Sequence, residues 1–202
     1  TVRCLGRSVR FAETGLPESI VSNGREILAK PVSITAEVNG SDLKWAVGKS
    51  KVKRIAPGAA IAEAITNSNV MAMHCQSKME ADGYVNFRIT IKAKSDCEMG
   101  DLRLEIPFRR EVATYMMGLG RKGGYRPREW QWKWDAGRAN NMVWIGDWDA
   151  GMQCKLKGPQ DTWDIYNLTA GKPDSWDNGG KGGCTVTEEG DIVRVRAYSG
   201  PR

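Results

Sequence analysis

The stretch Val85-Asn-Phe87-Arg-Ile89-Thr-Ile91-Lys92 places an apolar residue at every second position. Successive side chains of a β-strand point to opposite faces of its sheet, so this alternation predicts a strand with one buried face and one solvated face. The same pattern recurs in residues 32–38, 102–108 and 152–157. Its repetition predicts a chain that is built mainly from half-buried strands.

Short turn signals separate these stretches. Asn23-Gly24, Asn39-Gly40, Glu189-Gly190 and Ala81-Asp82-Gly83 are typical of tight connections between antiparallel strands. Residues 59–66 are the only fair helical stretch, and they fit a strand equally well. We therefore predict an all-β fold with little helix, a large antiparallel β-sandwich that the whole chain forms as a single domain.

Two features interrupt the predicted strands. Pro107 lies within one of them, and because proline has no N–H to donate to a neighbouring strand, it favours an edge strand or a bulge there. Residues 117–129 are rich in Gly and Arg, which predicts an excursion from the sheet, and residues 171–183 form a longer loop with five glycines. Loops of that length inside a domain are often functional.

The charge of the chain is positive but dispersed. Its 30 Lys and Arg residues against 24 Asp and Glu residues give a formal net charge of +6. The best basic cluster, within residues 121–133, includes Tyr125 and Trp130 but reads better as a solvated loop than as a nucleic-acid site, because the expected dense basic stripe is missing. The chain also lacks an apolar run of 18 residues, so we predict neither a nucleic-acid partner nor a membrane partner.

The five cysteines are far apart and include no C-x-x-C motif, so a zinc site is not expected and buried free thiols are the favoured interpretation. The single histidine, His74, excludes metal sites built from several histidines and most nucleophile designs that depend on histidine. The sequence therefore predicts no metal and no cofactor.

Seven of the eight tryptophans lie between Trp130 and Trp176. Trp130, Trp132 and Trp134 occupy alternate positions, so in a strand they form a row on one face. Such a row serves either as a sugar platform or as packing between sheets, and we favour structural packing. Trp148, Trp163 and Trp176 lie among Asp and Gly residues, where packing and ligand contact are equally good interpretations.

Asp147 and Asp149 lie two positions apart and share a strand face if the strand continues through Gly146. Paired carboxylates suit acid/base catalysis, a calcium site or the binding of hydroxyl groups, but structural turn residues are the favoured interpretation. The residues predicted to contact carbohydrate or a neighbouring domain are Trp148, Trp163, Trp176, Asp147, Asp149, Arg126 and Tyr125.

Several segments across nearly the whole chain resemble the N-terminal β-sandwich domain of glycoside hydrolase family 123 and related glycosidase-like proteins. The middle segments are the most specific ones. The resemblance is carried by Leu5-Gly-Arg-Ser-Val9 with Gly15-Leu-Pro17, Ile27-Leu-Ala-Lys-Pro31, Met117-Gly-Leu-Gly-Arg-Lys-Gly-Gly-Tyr-Arg-Pro127, Trp130-Gln-Trp-Lys-Trp134, Asn141-Met-Val-Trp-Ile-Gly-Asp147 with Ala150-Gly-Met-Gln153, and Ala197-Tyr-Ser-Gly-Pro-Arg202.

This resemblance implies a concave sandwich that belongs to a longer, secreted or periplasmic protein. The parent would be a glycosidase acting on β-linked N-acetylgalactosamine, or a relative with another substrate. In the family, an adjacent Asp-Glu pair acts from a separate barrel domain together with the acetamido group of the substrate. The chain contains no Asp-Glu dipeptide, so we expect no catalytic residue in it. Its expected role is a module that packs on the catalytic domain, with a stand-alone carbohydrate-binding module as the alternative and a small glycosidase using Asp147 and Asp149 as the least favoured one.

Overall fold

The computed structural model describes residues 1–46, 48–134, 141–158 and 172–202. The early strands are β1 (Val2–Cys4), β2 (Arg7–Phe11), β3 (Pro17–Ser22), β4 (Arg25–Glu26), β5 (Ser33–Val38), β6 (Ser41–Asp42), β7 (Lys49–Ala56), β8 (Ala59–Asn67) and β9 (Met71–Glu80). The later elements are β10 (Val85–Ala93), β11 (Met99–Arg109), β12 (Tyr115–Gly118), β13 (Glu129–Trp132), β14 (Met142–Gly146), β15 (Gly151–Lys155), α1 (Asp174–Asp177), β16 (Gly183–Glu189) and β17 (Ile192–Tyr198). Within these ranges no helix is long and apolar enough to cross a bilayer.

The described strands pair antiparallel in four sheets. One sheet has six strands in the order β13-β16-β17-β11-β5-β6, and two have four strands, in the orders β1-β2-β3-β4 and β10-β9-β8-β7. The fourth sheet has the order β12-β14-β15. The predicted all-β sandwich with little helix is confirmed, and residues 59–66 belong to a strand.

Alternation of apolar side chains explains how the sheets pack. Along β9 the side chains from Met71 to Met79 are buried at every second position. Met73 and Cys75 of that strand share one buried cluster with Ile106 of the six-stranded sheet and Ile145 of the three-stranded sheet. Sheets that each bury one face in this way stack about 10 Å apart and leave their other face in water.

The Asn-Gly dipeptides form two-residue hairpin loops as predicted. Asn23 and Gly24 join β3 to β4 with φ angles of 51° and 77°, and Asn39 and Gly40 join β5 to β6 with 50° and 72°. Positive φ at both central positions is the requirement of a type I′ turn, whose twist matches that of the strands it connects. These turns explain why the loops are so short.

Pro107 corrects one prediction, because it lies in β11, which is a central strand and not an edge. It pairs with Arg194 of β17 on one side, and on the other side its carbonyl accepts the N–H of Ala29 at 2.8 Å. The N and C=O of one strand residue point the same way, so the missing donor faces the segment before Ser33, where β5 begins. The expectation of an edge or bulge was wrong because no hydrogen bond of the β11–β17 ladder needs that donor.

Candidate functional site

The three-stranded sheet presents an outward row on β12. Tyr115 and Met117 point outward from this strand, while the alternate residues Met116 and Gly118 are buried. Tyr115 lies opposite Gly146 of β14 and also forms an isolated bridge to Tyr125, which brings the segment after β12 back alongside it. The fold therefore places Tyr115 between two neighbouring stretches of backbone.

A tight turn joins β14 to β15 and carries Trp148. The Asp147 carboxylate accepts the N–H of Asp149 at 2.9 Å and the N–H of Ala150 at 3.0 Å. The backbone N–H of Asp147 donates to the carbonyl of Ala150 at 2.9 Å, which closes the turn. Aspartate favours such turns because its side chain reaches the backbone two residues further on. The strand thus ends at Gly146, so Asp147 and Asp149 are turn residues and not neighbours on a strand face.

Arg25 of β4 fixes this turn from another sheet. Its guanidinium forms an ion pair with Asp147 and lies 3.7 Å from the Asp149 carboxylate. The Asp147 side chain is only 11% exposed, whereas that of Asp149 is 64% exposed. Burial acts to raise the pKa of Asp147, but the N–H groups of Ala150 and Asp149 together with Arg25 leave it below its usual range.

Tyr115, Tyr125 and Trp148 form what we call the aromatic cluster. The ring centroids of Tyr115 and Tyr125 are 5.1 Å apart, and those of Tyr115 and Trp148 are 5.4 Å apart in an edge-to-face arrangement with an interplanar angle of 76°. These separations are typical of favourable aromatic pairs. Partial burial and the neighbouring Tyr125 hydroxyl raise the pKa of Tyr115, so its phenol stays protonated at neutral pH.

The outer members of the aromatic cluster are open to solvent. Trp148 is 87% exposed and Tyr125 is 75% exposed, and Met117 beside them is 41% exposed. Large apolar side chains that lie together on a surface mark a contact site more often than isolated ones do. The hydrogen-bonded turn already fixes the backbone at Trp148. A ligand that packs on the indole therefore pays less entropy than it would if it had to order the turn.

Trp130 and Trp132 of β13 hold the segment that leads to this site. Trp130 donates its indole N–H to the carbonyl of Leu119 at 3.0 Å, and the Arg121 guanidinium lies 5.0 Å from the centre of its ring. Trp132 is 8% exposed and packs on Gly120, where an added Cβ would lie 2.2 Å from the indole. These two tryptophans therefore anchor residues 119–121, which lead to Tyr125.

Trp134 and Trp176 contact each other. The Trp134 indole is 5% exposed and donates its N–H to the carbonyl of Trp176 at 3.1 Å. Trp176 lies in α1 and is itself partly buried against the main apolar cluster. Its environment is that of packed structure and differs from the open environment of Trp148. Trp163, the remaining predicted contact residue, lies outside the described residues.

Arg126 is engaged by the protein itself. Its side chain is 5% exposed and donates to the carbonyls of Ala113 at 2.9 Å and Pro127 at 2.6 Å. It also forms an ion pair with Glu188, and this hydrogen bond lowers the pKa of that carboxylate. With one hydrogen bond on each of its three nitrogens, Arg126 ties residues 126–127 to β16, and its 5% exposure leaves little of it open to a ligand.

The structure thus brings together Trp148, Tyr125, Asp147 and Asp149 from the predicted set. It adds Tyr115, Met117 and Arg25, which the sequence did not single out. Arg25 is 122 residues from its partner Asp147, and no local pattern signals such a contact. Within the described ranges, no group of three or more His, Cys, Asp or Glu residues could hold a metal ion.

The family of the chain follows from a comparison with family models. The model described as glycoside hydrolase 123, third domain, matches residues 1–202. The chain belongs to this family. None of the curated proteins searched matches it. The glycoside hydrolase 123 third domain is thus an all-β domain of a glycoside hydrolase 123 protein, as the resemblance implied, whereas the N-terminal position that the resemblance also implied is not confirmed.

Proposed function

We propose that this third domain is a non-catalytic module that packs on the catalytic domain of its parent glycoside hydrolase. In this proposal the aromatic cluster forms part of the wall of the carbohydrate cleft. The observation that carries the proposal is the presentation of Trp148, which is 87% exposed on a turn fixed by Asp147 and Arg25. The family membership supplies the glycosidase context.

The chemistry of the cluster suits a sugar. Pyranose rings have an apolar C–H face that packs on indole, and the exposed Asp149 carboxylate beside it can accept hydrogen bonds from hydroxyl groups. Arg25, whose side chain is 35% exposed, provides N–H donors at the same place. Binding sites for small molecules commonly combine an apolar surface with a few fixed polar groups in this way.

A catalytic role for the Asp147 and Asp149 pair is not supported by the geometry. Glycosidases use one carboxyl group as a proton donor and a second as a base or nucleophile. Asp147 is held ionised by a lowered pKa, and its oxygens are occupied by two backbone N–H groups and Arg25. It therefore lacks the proton that a donor needs, and both oxygens that a base or nucleophile would use are already engaged.

Steady-state kinetics of the full-length parent enzyme with Trp148→Ala tests the proposal. Covering half of an indole removes roughly 100 Å² of apolar surface from water, which at about 25 cal/mol/Å² is about 2.5 kcal/mol. The expected result is a KM raised by up to about 60-fold with kcat nearly unchanged, since the contact is equal in the ground state and transition state. The matched control is Leu5→Ala, which truncates a 79% exposed apolar side chain elsewhere. An unchanged KM in the Trp148 variant would contradict the cleft-wall role.

A second candidate, carbohydrate binding by the third domain alone, is favoured by the completeness of the cluster within this chain. Tyr115, Tyr125, Trp148 and Asp149 all come from described residues of one chain. Calorimetric titration of the 202-residue chain with neutral oligosaccharides checks it. Binding that Trp148→Ala abolishes and Leu5→Ala leaves intact supports this candidate, and no binding at millimolar sugar excludes it.

A further inference from the structure

The outward face of the sheet formed by β7 to β10 gathers cations that are scattered along the sequence. Lys49, Lys51 and Lys53 occupy alternate positions of β7, so they point to the same face. In the register of β7 with β8, Lys49 lies opposite Ile65 and Lys51 lies opposite Glu63. The charged row therefore lies on the outward face, to which the 59% exposed Ile65 belongs.

The pairing continues this face across the sheet. Glu63 lies opposite Gln76, which in turn lies opposite Arg88, so Arg88 shares the face although it is 37 positions from Lys51 along the chain. Lys78 and Lys92 join it by the same register. We call this surface the basic face, and its cations are Lys49, Lys51, Lys53, Lys78, Arg88 and Lys92.

The basic face carries most of the charge excess of the chain. Its carboxylates are Glu63, which contacts His74 at 2.8 Å, and Glu80, which contacts Lys78 at 2.7 Å. Six cations against two carboxylates leave +4 of the net charge of +6 on one sheet face. Among the described residues, the other five cations of the face have no carboxylate partner.

Protection of sheet edges explains only part of this arrangement. Lysines on an edge strand prevent unwanted pairing with another sheet, and β7 and β10 are both edges. The inner face of this sheet is buried, so its charges necessarily share the outward face. Edge protection does not require that six cations face only two carboxylates there, and a bound polyanion supplies a reason for this excess of one sign.

The pattern of the basic face selects the class of polyanion. Lys49, Lys51 and Lys53 repeat about every 6.8 Å along β7, a spacing that suits a polymer with regularly spaced anions. The described outward residues of these strands include no Trp, Tyr or Phe, and their one imidazole, that of His74, contacts Glu63, so bases of single-stranded nucleic acid have no large ring on which to stack. The same described residues include the exposed Ile65 but none of the Trp, Phe and Leu side chains that insert into a bilayer. We propose that the basic face binds an anionic polysaccharide that carries sulfate or carboxylate groups at regular intervals.

Titration of the 202-residue chain with dextran sulfate, and with unsubstituted dextran as the neutral comparison, tests this proposal. We expect binding of dextran sulfate alone, with an affinity that falls linearly with salt concentration on a log–log scale. The variant Lys49→Gln/Lys51→Gln/Lys53→Gln is expected to bind at least tenfold more weakly and with a shallower salt dependence. Thermal unfolding of each variant verifies that it is folded.

The matched control variant is Lys30→Gln/Lys44→Gln/Lys122→Gln. It also removes three positive charges, but from exposed positions outside the basic face, and is expected to change the affinity for dextran sulfate by less than twofold. Equal losses in the two triple variants would overturn the proposal, because net charge alone would then explain the binding. Tighter binding of duplex DNA or of anionic phospholipid vesicles than of dextran sulfate at equal salt would overturn it as well.

The proposal is independent of the cleft-wall role of the aromatic cluster. Trp148→Ala is expected to leave the affinity for dextran sulfate unchanged, because Trp148 lies in the turn between β14 and β15 and not on this sheet. A loss of dextran sulfate binding in Trp148→Ala would assign the anion to the aromatic cluster and would also overturn the assignment to the basic face.

Discussion

The turn that carries Trp148 allows one perturbation to be worked out in detail, the replacement of Asp147 by Ala or by Asn. Asp147→Ala removes the acceptor of two backbone N–H groups and the ion pair with Arg25. Ala150 is 5% exposed, so its freed N–H lacks ready access to water, which costs about 1–3 kcal/mol. The N–H of the exposed Asp149 is rehydrated, and the ion pair, whose Arg25 side chain is 35% exposed and whose Asp147 side chain is 11% exposed, contributes about 1 kcal/mol or less.

We therefore expect Asp147→Ala to lower the free energy of unfolding by about 2–3 kcal/mol. Asp147→Asn keeps a side-chain oxygen that can accept both N–H groups and loses only the ion pair, so about 1 kcal/mol or less is expected. Urea unfolding at pH 7, followed by far-UV circular dichroism, measures both values. The comparison holds if the slope of the free energy of unfolding against urea concentration is the same in the wild type and both variants. Equal losses in the two variants, or a loss in Asp147→Ala below about 0.5 kcal/mol, would refute the claim that the carboxylate holds the turn.

The lowered pKa of Asp147 fixes the direction in which its contribution to the free energy of unfolding changes with pH. The folded chain holds the pKa of Asp147 below its usual range, so its contribution to stability is fully present above the unfolded value of about 4. That contribution is lost as the pH falls through the folded pKa. The stability difference between the wild type and Asp147→Asn is therefore expected to shrink below about pH 4, and a difference that stays constant down to pH 2 would contradict the assignment.

Three further predictions concern the scaffold. Gly118→Ala places a Cβ 2.2 Å from the carbonyl oxygen of Met142, at a φ of +101°. We expect it to lower the free energy of unfolding in urea by at least about 3 kcal/mol. The control Gly190→Ala, which has open space around it, is expected to lower it by about 1 kcal/mol. Glu105→Gln removes the charge that binds two arginines at 2.7 and 2.8 Å on a 6% exposed residue, and a loss of about 1.5–3 kcal/mol is expected by the same measurement. Burial raises the pKa of Cys75 from its ordinary value of 9.0 to about 11, so its contribution to stability is lost as the pH rises from 9.0 through about 11. The midpoint of urea unfolding should therefore fall over that range less in Cys75→Ala than in the wild type.

Much of the fold was predictable because period-two alternation and Asn-Gly turns are local signals. The strand at Val85–Ala93 and the hairpins at Asn23 and Asn39 follow from residues that are neighbours in sequence. The expectation for Pro107 was wrong because the cost of a missing N–H depends on which neighbouring segment faces it. The segment that does so lies before Ser33 and is far from Pro107 in the sequence.

The candidate site was only partly predictable for a similar reason. The sequence showed that Trp148 and Trp176 both lie among Asp and Gly residues. Tertiary contacts then leave Trp148 exposed and partly bury Trp176, and the sequence does not show this difference. The scattered positions of Lys51, Lys78 and Arg88 hid the basic face, because strand register alone brings them onto one surface.

The position of β17 in the six-stranded sheet has a consequence for biosynthesis. This strand pairs with β16 on one side and with β11 on the other, so among the described strands residues 192–198 alone join the pair β13-β16 to the group β11-β5-β6. While the ribosome is still translating the preceding residues, both half-sheets hold an unpaired edge, and such edges invite association with other nascent chains. Completion of this sheet therefore waits for the translation of residues 192–198, and both edges stay open to association until that strand is in place.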